Sequence, residues 1–373
     1  MKLPQRISLI TVLLAPACAK ADLPMPELLL DAKLVEIGRI DADFQWDGAT
    51  AWARDGKSFV LGNSATPPFV WQPESGATLE LNSAPELGSI CGIGAGIGRS
   101  TILCMHGVDT ETMALAEVNP SDGSVVRTLG HLPRQHGGMQ LVANQSGDRI
   151  FTYSPGDPIH WELPLLISIG QELKAKQIDT GGIMFLNSMQ WQPNNRSMMC
   201  IGSDENCGTG MEEGGGMGEI RLVSDDGSPE RFIRSGSGGF GWNSGPESNQ
   251  ALVAFPQQMS VSPDGESIVY LAFTNGLQRV GLLRTDGMTH ARGHDVERIH
   301  DIIHLSNDLL LISPEGEGAM LEIWDAKTFS RRKQTNIPAG LQLLLNQDRT
   351  RIAVLDEKQI RAYRCVRSID AVN

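Results

Sequence analysis

The sequence predicts an all-β fold, because one hairpin pattern recurs along most of the chain. Its clearest copy surrounds Pro263-Asp264-Gly265, where two apolar runs flank a tight turn. The second run is apolar at nearly every position, which is typical of a strand that is covered on both faces. Copies of the hairpin return about every 40 to 50 residues, the period of a repeat that carries several short strands. The predicted fold is therefore a seven-bladed β-propeller built from four-stranded antiparallel blades.

Six further segments carry the same hairpin. In chain order they are 50–61, 90–105, 140–152, 190–200, 303–313 and 343–355. Small polar residues stand at their turns, as in Asp55-Gly56 and Asn307-Asp308. The most degenerate copy is 90–105, which we assign to the second blade because it fills the gap between the first and third copies.

A four-stranded blade needs a second hairpin after the first. The segments that fit this role are 69–81, 114–129, 219–233, 280–290 and 321–333. The last blade has only three candidate strands, which end at residues 362–366. Residues 33–40 alternate between apolar and polar and predict the missing fourth strand. Pairing them with the C-terminal blade would close the ring and leave no exposed sheet edge.

Two short motifs resemble known propeller families. Ser262-Pro263-Asp264-Gly265 followed by an apolar strand resembles the TolB-type repeat, and Ile323-Trp324-Asp325 resembles the end of a WD40 or quinoprotein-type (YVTN) blade. The resemblance covers most of the chain and concerns the architecture alone. Such propellers include scaffolds, lyases, lactonases and dehydrogenase subunits, so the resemblance implies a fold without selecting a function.

The first 21 residues have the three regions of a secretory signal peptide. Lys2 and Arg6 precede the apolar run 7–15, and Ala19-Lys20-Ala21 supplies the small residues of a cleavage site. We expect cleavage after Ala21 and a single propeller domain over 22–373, in a periplasmic or secreted protein. Acylation of Cys18, as in a lipoprotein, is the alternative. No later run is long enough to predict a transmembrane segment.

The charge balance bears on the class of partner. The chain has 44 acidic and 31 basic residues, a formal net charge of −13. Such an acidic protein is a poor ligand for nucleic acid or anionic lipid. A protein, peptide or glycan partner is therefore expected.

Two disulfide bonds are expected in an oxidising compartment. Cys91 and Cys104 are symmetric about Ile97-Gly98 and would face each other in a regular hairpin. Cys200 and Cys207 would close a short loop. Cys365 is then left over, and we expect it to be a buried, unreactive thiol.

Two long insertions predict a binding face. Residues 202–218 and 235–255 belong to loops that leave the same face of a propeller, and long loops in compact folds are often functional. Phe240 and Trp242, flanked by glycine, suit contact with a sugar or a peptide. The binding residues expected on this rim are Trp46, Asp47, His160, Trp161, Phe240 and Trp242.

Catalysis and metal binding are weighed as alternatives. Arg134, His136, His300 and Asp301 are the candidates for a catalytic group at the channel mouth, because they could hold a carboxylate or transfer a proton. No cofactor is expected. Ca²⁺ is the open alternative, with Asp204, Glu205, Glu212 and Glu213 as oxygen donors, although their spacing matches no calcium loop.

Three functions compete. The first is a non-catalytic exported propeller that presents a recognition face. The second is a propeller enzyme of the lyase or lactonase kind, and the third is an accessory chain of a quinoprotein oxidoreductase. Convergence of the His and acidic side chains on one point would favour the enzyme.

Overall fold

The computed structural model describes twelve ranges of the chain, and it is all-β. The ranges are 33–42, 49–62, 67–133, 139–153, 164–178, 185–194, 197–203, 218–224, 229–234, 256–274, 277–286 and 289–366. They contain 28 β-strands, and the single helical element among them is a short 3-10 helix, Leu81–Ser83. The predicted fold class is confirmed at this level.

The strands form seven units, each a meander of four antiparallel strands except that the last takes one strand from the N-terminus. The first unit contains β2 (Ala49–Trp52), β3 (Phe59–Gly62), β4 (Phe69–Gln72) and β5 (Ala77–Glu80). The second contains β6 (Ile90–Ala95), β7 (Ile102–Gly107), β8 (Thr112–Val118) and β9 (Val125–Pro133). The third contains β10 (Met139–Ala143), β11 (Arg149–Tyr153), β12 (Leu165–Ser168) and β13 (Lys174–Gln177).

The remaining units follow the same plan. The fourth contains β14 (Phe185–Trp191), β15 (Ser197–Ser203), β16 (Gly218–Ser224) and β17 (Pro229–Arg234). The fifth contains β18 (Pro256–Val261), β19 (Ser267–Thr274), β20 (Leu277–Arg284) and β21 (Thr289–Val296). The sixth contains β22 (Ile299–His304), β23 (Leu309–Pro314), β24 (Met320–Asp325) and β25 (Arg331–Pro338). The seventh contains β26 (Gln342–Leu345), β27 (Arg351–Leu355), β28 (Gln359–Val366) and β1 (Lys33–Asp41).

The N-terminal strand completes the last unit. Strand β1 pairs antiparallel with β28 over its whole length, from Lys33 opposite Val366 to Asp41 opposite Gln359. The predicted pairing of the two chain ends is confirmed. Strand β28 consequently has a hydrogen-bonded neighbour on both sides instead of an open edge.

Apolar clusters fill the spaces between neighbouring units. Strand β23 illustrates the arrangement, because its residues alternate between two clusters. Leu309 and Leu311 pack toward the seventh unit, whereas Leu310 and Ile312 pack toward the fifth. Similar clusters join the first unit to the second and to the seventh, and the third unit to its two neighbours. The continuous apolar runs noted in the sequence are therefore strands buried on both faces.

The first strands of the units are neighbours in a cyclic order. Strand β2 contacts β6 and β26, β10 contacts β6 and β14, β18 contacts β14 and β22, and β22 contacts β26. Among the described first strands, only β6 and β10 pair directly through the backbone, in a parallel register that joins units two and three into one eight-stranded sheet. Gly94 permits this approach, since a Cβ there would lie 1.9 Å from the Leu141 carbonyl oxygen. The close approach of β6 to β10 thus explains why this copy of the hairpin has a glycine at position 94.

Side chains connect the other first strands. The Gln190 amide donates to the Met259 carbonyl at 2.9 Å and accepts from the Val261 amide at 3.1 Å, as a neighbouring strand would. The Ser260 hydroxyl accepts the His304 amide hydrogen at 2.9 Å. The indole of Trp191 on β14 reaches back to strand β10 and donates to its backbone at 2.8 Å. These bonds replace the missing ladder between first strands.

The predicted Cys91–Cys104 disulfide is absent, and both residues are free thiols. The turn is centred one residue later than the sequence symmetry assumes, because Ala95 pairs with Ile102, and Cys104 therefore lies opposite Ile93 rather than opposite Cys91. A register shift between Ile90 and Gly92 also disrupts the ladder at Cys91. Cys104 packs toward the first unit, while Cys91 packs toward the third, so the two thiols lie on different faces of the sheet. Burial raises the pKa of Cys104 to about 12, which keeps its thiol protonated.

The other cysteines are partly described. Cys365 is a free, half-buried thiol whose pKa is raised to about 11 by burial. The expected burial is therefore only partial, and the low reactivity of this thiol stays a prediction. Cys200 lies on β15 opposite Met189, and Cys207 lies outside the described residues, as do the signal-peptide residues and Cys18. Within the described ranges, no helix has the length and apolar character needed to cross a membrane.

Candidate binding site

The first strands surround a cavity of about 780 Å³. Residues from all seven units line it, from Trp52 on β2 to Leu345 on β26. The residues that follow the first strands, such as Pro193 and Pro263, belong to the turns between first and second strands and form one end of the lining. A cavity of this volume is the size of a small-molecule site.

Primary amides dominate the polar part of the cavity wall. The lining contains seven glutamines, namely Gln140, Gln145, Gln190, Gln192, Gln258, Gln342 and Gln347. Each amide can donate and accept hydrogen bonds without carrying charge. Gln140 accepts the Thr50 amide hydrogen at 2.8 Å, and Gln190 bridges two strands as described above, so both amides are held in place. A wall of this kind matches a ligand rich in hydroxyl or amide groups.

Three aromatic side chains add apolar surface. Trp52, Trp191 and Tyr153 line the cavity, and both indole N–H groups donate to backbone carbonyls. Trp191 also packs against Phe151, with ring centroids 5.5 Å apart. Burial raises the pKa of Tyr153 to about 12, so its phenol is neutral at physiological pH. Rigid aromatic groups of this kind stack on sugars and peptides at little cost in side-chain entropy.

Asp301 is the carboxylate of the described lining, and it is 3% exposed. Its two oxygens accept backbone hydrogens from Ile302 and Leu343, each at 2.7 Å. Burial raises the pKa of this carboxyl to about 7, although the two N–H groups act in the opposite direction. Asp301 therefore connects strands β22 and β26 and also presents a titratable group to the cavity wall.

Two arginines lie at the turn end of the lining. Arg54 donates to the carbonyls of Asn144 at 2.6 Å and Gln145 at 3.1 Å, and Arg349 donates to the carbonyl of His304. Burial lowers the pKa of Arg54, and it lowers that of Arg349 to about 10. Both guanidinium groups remain charged at neutral pH in a partly desolvated setting.

The structure describes two of the predicted catalytic candidates and does not bring them together. Asp301 lies on the cavity wall, whereas His300, next to it on β22, is half-buried and is not among the lining residues. The other predicted site residues lie outside the described part of the chain: Trp46, Asp47, Arg134, His136, His160, Trp161, Asp204, Glu205, Glu212, Glu213, Phe240 and Trp242.

The sequence did not suggest the glutamines of the cavity wall. A signal for some of them was present, because β10, β18 and β26 carry Gln140, Gln258 and Gln342 at the same distance before the turn that ends each first strand. A polar residue repeated at one place in otherwise apolar strands indicates a shared, lined space. Only alignment of the repeats on their turns exposes this pattern.

In the ranges that the structure covers, no three His, Cys, Asp or Glu side chains lie close enough together to hold a metal ion. The predicted Ca²⁺ donors lie outside those ranges and stay a prediction. No protein-family model matches the chain, and a search of curated proteins finds no match.

Proposed function

We propose that the chain is a seven-bladed β-propeller that is exported and acts as a binding or interaction module for a peptide, protein or glycan. The architecture is supported by seven four-stranded units, the cyclic contacts of their first strands and the closure by β1. Export to the periplasm or the exterior is supported by the signal-peptide pattern of residues 1–21.

The observation that carries the binding function is the amide-rich wall of the central cavity. Seven glutamines and three aromatic residues offer neutral hydrogen bonds and apolar contact. Of the ionisable groups on the described wall, Arg54, Asp301 and Arg349 are engaged with backbone atoms. We expect the insertions 202–218 and 235–255, with Phe240 and Trp242, to contribute a second contact surface.

The test uses the full chain, with arrays of neutral glycans and short peptides followed by calorimetry on the best ligand. Gln258→Glu and Gln342→Glu preserve shape but replace an amide donor by a charge, so we expect each to weaken binding by about tenfold. Gln334→Glu is the matched control, because Gln334 is exposed on β25. Absence of binding on every array, or equal binding by all three variants, contradicts the proposal.

A propeller enzyme of the lyase or lactonase kind is the second candidate, and Asp301 favours it. A carboxyl with a pKa of about 7 at a cavity wall has the property needed for general acid–base catalysis. Mass spectrometry of the ligand after incubation separates the two candidates. Unchanged ligand supports a binding module, and a cleaved or eliminated product supports an enzyme.

A further inference from the structure

Four turns between first and second strands share one geometry. In each, the amide of the fourth residue donates to the carbonyl of the first at 2.8 to 3.2 Å: Gly56 to Ala53, Gly147 to Asn144, Gly265 to Ser262 and Arg349 to Asn346. The fourth residue has a left-handed backbone in every case, with φ values of 67°, 75°, 76° and 58°. Arg349 thus occupies a position that is glycine in the other three turns.

An arginine at such a position is strained, because its Cβ crowds the backbone in the left-handed region. Glycine would adopt the same turn without strain. Strained residues of this kind cluster at active sites and ligand-binding sites. The side chain of Arg349 lines the cavity, so its function concerns that space.

The cavity lining carries two guanidinium groups and one carboxylate, that of Asp301. Glu117 and Asp264 lie outside the lining and act electrostatically on Arg54 and Arg349, respectively. No carboxylate of the described residues forms an ion pair with either arginine. Their recorded partners are backbone carbonyls, which use a minority of the five N–H donors of each guanidinium. The oxygens of Asp301 are already occupied by two amide hydrogens. Partly buried positive charge of this kind is stabilised by an anion.

We infer that the turn end of the cavity binds a carboxylate-bearing ligand, with Arg54 and Arg349 supplying the positive charge that attracts the carboxylate and the glutamine amides bonding to the polar remainder of the ligand. This inference rests on the proposed binding function and names the ligand class. A carboxylate fits because its two oxygens match the planar fork of a guanidinium. The carboxylate has two possible sources, a free sugar acid or the C-terminus of a peptide.

The competing explanation is that Arg349 acts only as a structural link, since it donates to the His304 carbonyl of the sixth unit. Arg349→Gly distinguishes the two. If the side chain serves ligand binding, the variant loses affinity for the acid, whatever its thermal stability. If the side chain is only a link, the folded variant binds the acid as tightly as the native chain does, even where its melting temperature falls.

The experiment measures binding to the full chain by calorimetry with two matched pairs of probes. Glucuronate is compared with glucose, and a short peptide with a free C-terminus is compared with its amidated form. We expect the acid of at least one pair to bind about tenfold more tightly than its neutral partner, with affinity falling as salt rises from about 0.05 to 0.5 M. The pair that shows the difference identifies the source of the carboxylate.

The variants are Arg349→Gly, Arg349→Lys and Arg54→Gln, with Arg284→Gln as control because Arg284 is exposed and is not among the lining residues. We expect Arg349→Gly and Arg54→Gln each to lose about tenfold in affinity for the acid. Arg349→Lys should lose less, and Arg284→Gln should bind as the native chain does. Equal binding of acid and neutral probes, or no loss in Arg349→Gly and Arg54→Gln, overturns the inference. If the neutral probes bind and the acid probes bind no more tightly than they do, only this inference fails. If no probe binds at all, the proposed function fails as well.

Discussion

Asp301 and His304 lie three residues apart on β22, and burial shifts their pKa values in opposite directions. Burial raises the pKa of Asp301 from its ordinary 3.8 to about 7, so its contribution to stability is complete below 3.8 and is lost as pH rises through 7. Burial lowers the pKa of His304 from 6.5 to about 4, so its contribution is complete above 6.5 and is lost as pH falls toward 4. Between about pH 4 and 6.5 the two effects oppose each other.

His304→Asn removes one of these effects. The asparagine amide can replace Nδ1, which lies 3.2 Å from the Ser306 carbonyl. With Asp301 left unopposed, the free energy of unfolding of the variant should fall as pH rises from 5 to 6.5, by up to about 1.4 kcal/mol per pH unit more than in the native chain. Urea unfolding across this range measures the difference. Parallel pH profiles for the two proteins would contradict the assignment.

The cysteine prediction failed at the scale of single residues. The symmetry of Cys91 and Cys104 assumes a turn centred at Ile97-Gly98, but the pairing of Ala95 with Ile102 centres the turn one residue later. The register shift between Ile90 and Gly92 adds a second departure from a regular ladder, next to Cys91. Spacing within one hairpin determines neither the centre of its turn nor the place of such a shift.

At the scale of elements, the approach of β6 to β10 depends on a missing side chain. Gly94→Ala would place a Cβ 1.9 Å from the Leu141 carbonyl, so the parallel pairing between units two and three must separate. We expect a loss of several kcal/mol in unfolding free energy, the range of severe overpacking. Gly170→Ala is the control, since its nearest atom is 3.7 Å away. Similar melting temperatures for the two variants would refute the role of Gly94.

The strands were largely predictable, whereas the cavity wall was not. Apolar runs such as Leu309 to Ile312 are long enough to reveal strands buried on both faces, and turn residues such as Asp264-Gly265 mark their ends. Residues such as Gln258 and Gln342 line the cavity because strands from different units converge there. The recurring glutamine becomes visible only when the repeats are aligned on their turns, and the convergence itself depends on contacts between residues far apart in the chain.

At the scale of the whole molecule, stability depends on the strand from the N-terminus. Leu34 packs against the cluster between units six and seven, and Ile37 and Ile40 pack between units seven and one. A chain that begins at residue 43 would lose these contacts and leave β28 as an open edge. We expect a lower melting temperature and concentration-dependent aggregation, measured by light scattering. A chain that begins at residue 33 is the control, and equal behaviour of the two chains would exclude closure by β1.

The pairing of β1 with β28 also constrains the order of assembly. Of the described strands, β1 leaves the ribosome first, but its hydrogen-bonding partner β28 lies near the opposite end of the chain. The pairing must therefore wait until synthesis is nearly complete. Contacts of such large sequence separation form slowly, and unpaired edges persist meanwhile. We therefore expect the docking of the two ends to be the last step of folding, and a circular permutant that joins Val366 to Lys33 by a short linker would make that step local.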